Sequence, residues 1–149
     1  MALSTDAFGC IDFRGTRTNK AQYLRLSYDT KPDRVLNLLL RGWCLDKPKL
    51  LITVTGGKAN FDLQPRIKWC LRKGLLKAAK TTGAWLLTGG TNTGVSKHVG
   101  DALVSEKSPR IKGGRVASIG IAPWGIVERR NELVAIKKDV PFHTTTQPR

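Results

Sequence analysis

Two short stretches of this chain have residue types and spacing suited to holding an anion. One is Thr55-Gly56-Gly57 with Asn60 close behind; the other is Thr88-Gly89-Gly90-Thr91-Asn92-Thr93. Glycine has no Cβ, so a phosphate oxygen can approach the main-chain N–H groups closely. Thr55, Thr88, Thr91 and Thr93 add hydroxyl donors, and Asn60 and Asn92 add side-chain amides. A glycine pair can also serve only to reverse the chain. Two pairs at equivalent places, in a strongly basic chain, favour phosphate binding over plain turns. Neither stretch is G-x-G-x-x-G and neither is followed by G-K-[ST], so standard dinucleotide and P-loop readings do not fit.

Catalytic chemistry finds little support. After Gly89-Gly90 the sequence runs TNTGVSKHVGD, with no glutamate until Glu106. His98, beside Lys97, reads as a solvated helix-surface residue. No nucleophile, base and orienting group gather at a readable spacing. His98 and His143 lack partners at zinc-ligand spacing, so no metal or cofactor is expected. Cys10, Cys44 and Cys70 form no C-x-x-C and read as buried free thiols.

The elements that must position the two turns alternate between strand and helix. Residues 50–54 and 85–88 are apolar runs, each ending at a glycine pair, and residues 116–121 form a third run. Between the first two, NFDLQPRIKWCLRKGLLKAAKTTG reads as a helix with Asp62 as its cap and Pro65 in its first turn. Gly83 suits the left-handed position after its end, and Ile67, Cys70, Leu71, Leu75 and Ala78 share its apolar face. A further helix is expected over residues 93–104, followed by the polar loop SEKSPRIKGG. Upstream, residues 9–21 read as turns and 22–28 as a strand. DTKPDRVLNLLLRGW then reads as a helix capped by Asp29 or Thr30, with Val35, Leu36, Leu39 and Leu40 as its stripe.

Strand, glycine turn and helix thus occur twice in succession before a third strand. That order predicts an α/β, Rossmann-like parallel sheet with right-handed crossovers, incomplete as a module, and with helices on both faces. Ligands of such sheets sit beyond the carboxyl ends of the strands, where both glycine turns fall. Residues 137–149 are polar and read as a disordered tail to a module spanning 1–136.

The chain has 149 residues, 40% of them hydrophobic, enough for a core. No apolar run reaches the length of a membrane span, and the N-terminus lacks the pattern of a secretory signal. The expectation is a soluble intracellular chain. Lys and Arg total 26 against 11 Asp and Glu, for a net charge of +15. That balance favours polyanionic partners. Nucleic acid is not expected among them, because aromatic residues are few and no nucleic-acid motif is present.

The long stretch PKLLITVTGGKANFDLQPRIKWCLRKGLLKAAKTTGAWLLTGGTNTGVSKHVGDAL resembles the first melastatin homology region of melastatin-type transient receptor potential channels. TDAFGCIDFRG, YLRLSYDT, IGIAPWGIVERRNEL and VPFH resemble the same region in the same order, so the likeness runs from about residue 4 to 143. It implies a SLOG-type domain on the cytoplasmic side of the membrane, belonging to a tetrameric, calcium-permeable cation channel. It further implies a regulatory, non-catalytic module sensing ADP-ribose or a related nucleotide, with other channel domains or subunits as partners. Carried over by position, the ligand-binding residues are Thr55, Gly56, Gly57, Asn60, Thr88, Gly89, Gly90, Thr91 and Thr93, bordered by Trp124 and Gly125. Lys58-Ala59 stands where the family more often has Ala-Lys.

Two other functions compete. Some SLOG-like relatives are phosphoribohydrolases with a glutamate soon after their glycine motif, which is missing here. The second expected helix carries Arg66, Lys68, Arg72, Lys73, Lys77 and Lys80, with Trp69 and Leu76 seven residues apart. A basic amphipathic helix with such anchors resembles a calmodulin target or a partner-binding assembly element.

Overall fold

The structure is a computed structural model that describes residues 5–13, 20–104 and 116–142. The chain forms two compact units. Leu45–Pro123 make one; Met1–Cys44 together with Trp124–Arg149 make the other.

The glycine turns lie in the first of these. Strands β3 (Leu51–Thr53), β4 (Trp85–Thr88) and β5 (Ala117–Gly120) form a parallel sheet in the order β3-β4-β5, as the alternation predicts. Leu51 pairs with Trp85 and Trp85 with Ala117, and the pairing runs on to Thr88 with Gly120. Helix α2 (Pro65–Thr82) joins β3 to β4, and α3 (Gly94–Val104) leads on from β4. The loop 105–114 lies outside the described residues.

Helix α2 starts on Gln64, with Pro65 in its first turn, rather than on Asp62. It stops at Gly83, whose φ of 61° is the left-handed conformation glycine adopts without strain; Gly83 N–H donates to the Ala79 carbonyl. The buried stripe of α2 matches the expected one only in Leu75 and the half-buried Leu71. Leu76 and Ala79 are buried and Leu75 packs beside them, whereas Ile67, Cys70 and Ala78 are exposed. An apolar set at 3.6-residue spacing existed on either side of the helix, and the sheet took the bulkier leucines.

The core of this unit is Ala79, Ala84, Leu86 and Val99, with Ile52, Val54, Leu75, Leu103 and Val116 against it. Ile52 and Leu86 are register partners, so α2 and α3 lie on the same side of the sheet. Among the described residues of this unit, the expectation of helices on both faces is therefore corrected. Two right-handed crossovers that step the same way along a sheet must both pass over one face. On the other face Leu51 is 56% exposed, while Trp85 is covered and its indole N–H donates to the Asp46 carbonyl at 3.0 Å.

The second unit holds β1 (Phe8–Phe13), β2 (Lys20–Leu24) and β6 (Ile136–Phe142), in the order β2-β1-β6. β1 pairs antiparallel with β2 and parallel with β6. Residues 9–13 and 20–21, expected as turns, are thus in strands, and the strand expected over 22–28 ends at Leu24. The tail expected from residue 137 is strand β6 as far as Phe142; residues 143–149 lie outside the described residues. Two separate edges offered by β1 explain both changes, because strand pairing satisfies backbone groups that polar sequence alone would leave to water. Tyr23 O–H donates to the Leu133 carbonyl at 2.9 Å, and Lys20 pairs with Asp139 at 2.5 Å. Helix α1 (Pro32–Asn37) also belongs to this unit, continuing into a π-helical turn at Leu38–Gly42. It starts on Lys31 with no side-chain cap, so neither Asp29 nor Thr30 fills that role. The cysteines are free, but Cys10 is half-buried and Cys44 and Cys70 are exposed, which corrects the reading of all three as buried.

Candidate functional site

Thr55, Gly56 and Gly57 leave the carboxyl end of β3, and Gly89 and Gly90 follow Thr88 at the carboxyl end of β4. The two turns converge on the first turn of α3. Asn60 Oδ1 accepts from Gly94 N–H at 3.0 Å. Gly57 lies so close that a Cβ on Gly94 would stand 2.0 Å from the Gly57 carbonyl oxygen. Gly94 has φ +54°, so its own conformation also selects glycine. A Cβ on Gly56 would come to 2.9 Å from Val95 Cγ1.

These contacts divide the glycines by role. Gly90, at φ +68°, crosses the backbone of Gly120 in β5; a Cβ on Gly120 would stand 2.6 Å from Gly90 Cα. That pair brings two backbones together. By contrast, Gly57 would meet nothing within 4 Å, and Gly89 only Ser96 Oγ at 3.5 Å. Gly57 and Gly89 are the positions whose missing side chain leaves space rather than internal contact.

The side-chain donors are partly used among themselves. Thr88 Oγ1 accepts from Gly90 N–H at 3.2 Å, and the hydroxyls of Thr91 and Thr93 lie 2.9 Å apart. Asn60 acts as the cap of α3. Thr55, Gly56 and Gly57 are exposed, as are Gly89, Gly90 and Lys58.

His98 differs from its expectation. It is buried, at 7% exposure, and its Nε2 lies 2.9 Å from the Phe61 carbonyl oxygen. Its ring stands 4.8 Å from that of Phe61. The imidazole ties the first glycine loop to α3, and its Nδ1 is buried without a partner in the described residues. The Thr93-to-Val99 sequence alone gave no sign of this, because the partner is a backbone carbonyl thirty-seven residues away. Gly94 and Gly120 were missed for the same reason: their need for glycine comes from a neighbouring backbone.

Trp124 and Gly125 belong to the other compact unit. There the Arg25 guanidinium carbon lies 5.0 Å from the Trp124 ring centroid, and the Gly125 carbonyl accepts from Arg130 at 3.1 Å. Among the described residues, no group of three or more His, Cys, Asp and Glu could hold a metal ion. Nor is any described helix long and apolar enough to cross a membrane.

A parallel sheet whose glycine turns meet at a helix N-terminus places the chain among Rossmann-like α/β modules. The chain belongs to the SLOG domain family of TRPM channels: the family model described as SLOG in TRPM matches residues 21–149. It is 61% identical over 146 residues to the transient receptor potential cation channel trpm of Drosophila melanogaster, covering 97% of this chain and 7% of that protein. It is 54% identical over 145 residues to the human transient receptor potential cation channel subfamily M member 7, covering 97% and 8%. A transient receptor potential channel of Caenorhabditis elegans is 44% identical over 147 residues, covering 98% and 7%. The chain therefore spans less than a tenth of the length of these relatives.

Proposed function

We propose that the chain is a regulatory, non-catalytic module that binds ADP-ribose or a related nucleotide on the cytoplasmic side of a melastatin-type cation channel. The observation that carries this reading is the convergence of both glycine turns, from adjacent parallel strands, on the N-terminus of α3. Main-chain N–H groups of such turns, with the positive end of a helix dipole, attract phosphate. The net charge of +15 adds long-range attraction. Within a channel its partners would be neighbouring channel domains or subunits.

The hydrolase alternative is weakened by His98. Its ring is buried and engaged with Phe61, so it is poorly placed to serve as a general base. Neither ADP-ribose nor nucleoside monophosphates should be hydrolysed. Turnover that disappears in His98→Ala would reverse that conclusion.

Titration calorimetry of the full chain with ADP-ribose, ADP and NAD tests the nucleotide reading. Gly57→Val and Gly89→Val put side chains into the open spaces of the two turns, and each should weaken binding by about tenfold or more. Thr91→Ala should weaken it modestly. Gly90→Val is a poor probe, because its side chain would displace the Gly120 backbone. If folded Gly57→Val and Gly89→Val proteins bind as the parent does, the turns are only turns.

A further inference from the structure

Helix α2 has a second face that the described residues leave exposed. The helix as a whole carries Arg66, Lys68, Arg72, Lys73, Lys77 and Lys80 and contains no acid. Lys68 lies 3.9 Å from Asp101 of α3, but Arg66, Lys73 and Lys77 are exposed and fall on one line at 3.6 residues per turn. Beside that ridge runs a lane of Ile67, Cys70, Gly74 and Ala78, all exposed, with Ile67 at 51%. Trp69, 58% exposed, borders the ridge on its other side, and Lys73 Nζ stands 5.4 Å from its ring centroid.

Gly74 gives this face its meaning. A glycine inside a helix costs stability relative to alanine. A Cβ there would meet nothing within 4 Å, and its φ is not positive, so neither the fold nor the backbone calls for glycine. What a bare Cα at the centre of an exposed lane permits is close approach by another backbone. A helix crossing at 8–10 Å makes that approach; a lipid surface gains nothing from it.

We propose that the outward face of α2 is a docking surface for an acidic amphipathic helix of a protein partner. The partner's apolar stripe lies along Ile67, Cys70, Gly74 and Ala78, and its carboxylates meet Arg66, Lys73 and Lys77. Trp69 supplies a large flat contact at the rim. This mode keeps α2 in place. It differs from capture of Trp69 and Leu76 as paired anchors, because Leu76 is buried at 5% exposure and would have to be pulled from the core.

The test uses the full chain and a synthetic helical peptide with a glutamate ridge beside a leucine–alanine stripe. Amide shifts on binding should be confined to α2, and affinity should fall as salt rises. A Lys73→Glu/Lys77→Glu double variant should weaken binding at least tenfold. Gly74→Leu should do the same while circular dichroism stays that of the parent, since there is room for the side chain. Four outcomes would overturn the proposal: no binding of the peptide, equal binding of polyglutamate, full binding by Gly74→Leu, or preference for vesicles of phosphatidylcholine and phosphatidylserine over the peptide. Nucleotide plays no part in these measurements, so their result is separate from that of the calorimetry.

Discussion

At the scale of single residues, glycines of one sequence type do different work. Gly90 and Gly120 bring two backbones into contact, Gly94 accommodates both a left-handed φ and the Gly57 carbonyl, and Gly57 faces open space. Gly120→Ala should therefore destabilise the chain by about 1–3 kcal/mol through backbone displacement. Gly57→Ala should stay within about 0.5 kcal/mol of the parent. Urea unfolding of the two variants checks the contrast. Tyr23 makes a separate prediction. Burial, with the Cys10 thiol as a smaller contributor, holds its pKa above the ordinary 10.0. A raised pKa in the folded state means that the contribution is complete below pH 10 and is lost as pH rises through the folded value. Stability should thus fall on that alkaline limb, and Tyr23→Phe, which also removes the bond to Leu133, should flatten this part of the profile.

At the scale of elements, α2 shows how far periodicity reaches. Its stop at Gly83 and the place of Pro65 in its first turn were legible from local chemistry, but its cap is Gln64 rather than the expected Asp62. Its buried face was legible only in part: Leu75 was expected inward, whereas Leu76 and Ala79 were not, because apolar residues stand on more than one side of the helix and only the sheet chose between them. The outward Gly74 leads to a direct expectation. Gly74→Ala should raise stability by about 0.5–1 kcal/mol, measured by urea unfolding, since the helix gains propensity and loses no contact. Leu86 lies at the other extreme, fully buried at the centre of β4. Leu86→Ala should cost about 2–5 kcal/mol, and a loss below 1 kcal/mol would show that the core closes around it. The strands teach the complementary lesson. The three parallel strands were readable as continuous apolar runs, whereas β1 and β6 gain their strand identity by pairing with each other across the length of the chain.

At the scale of the whole molecule, the expected response to ligand is a shift in stability. A nucleotide bound only by the folded state, present at one hundred times its dissociation constant, should add about 2.7 kcal/mol. Thermal unfolding with and without ADP-ribose measures this, and the gain should shrink as salt rises because phosphate charge supplies much of the attraction. An unchanged melting temperature at saturating ADP-ribose would count against the site. In the relatives, which are more than ten times longer, the same turns would act inside a larger assembly.

What the sequence determined by itself was everything carried by near neighbours along the chain. The alternation of apolar runs and helices, the glycine pairs at strand ends and the helix stop at Gly83 depend on residues a few positions apart. Family membership was legible too, because long motifs occur in order. Only the tertiary structure decided that α2 and α3 share one face of the sheet and that Asn60 caps α3. It alone placed His98 against Phe61 and Gly90 against Gly120. Those contacts join residues about thirty positions apart. Whether a glycine is an open cradle or a backbone crossing depends on what stands opposite it, and one-dimensional spacing does not specify that.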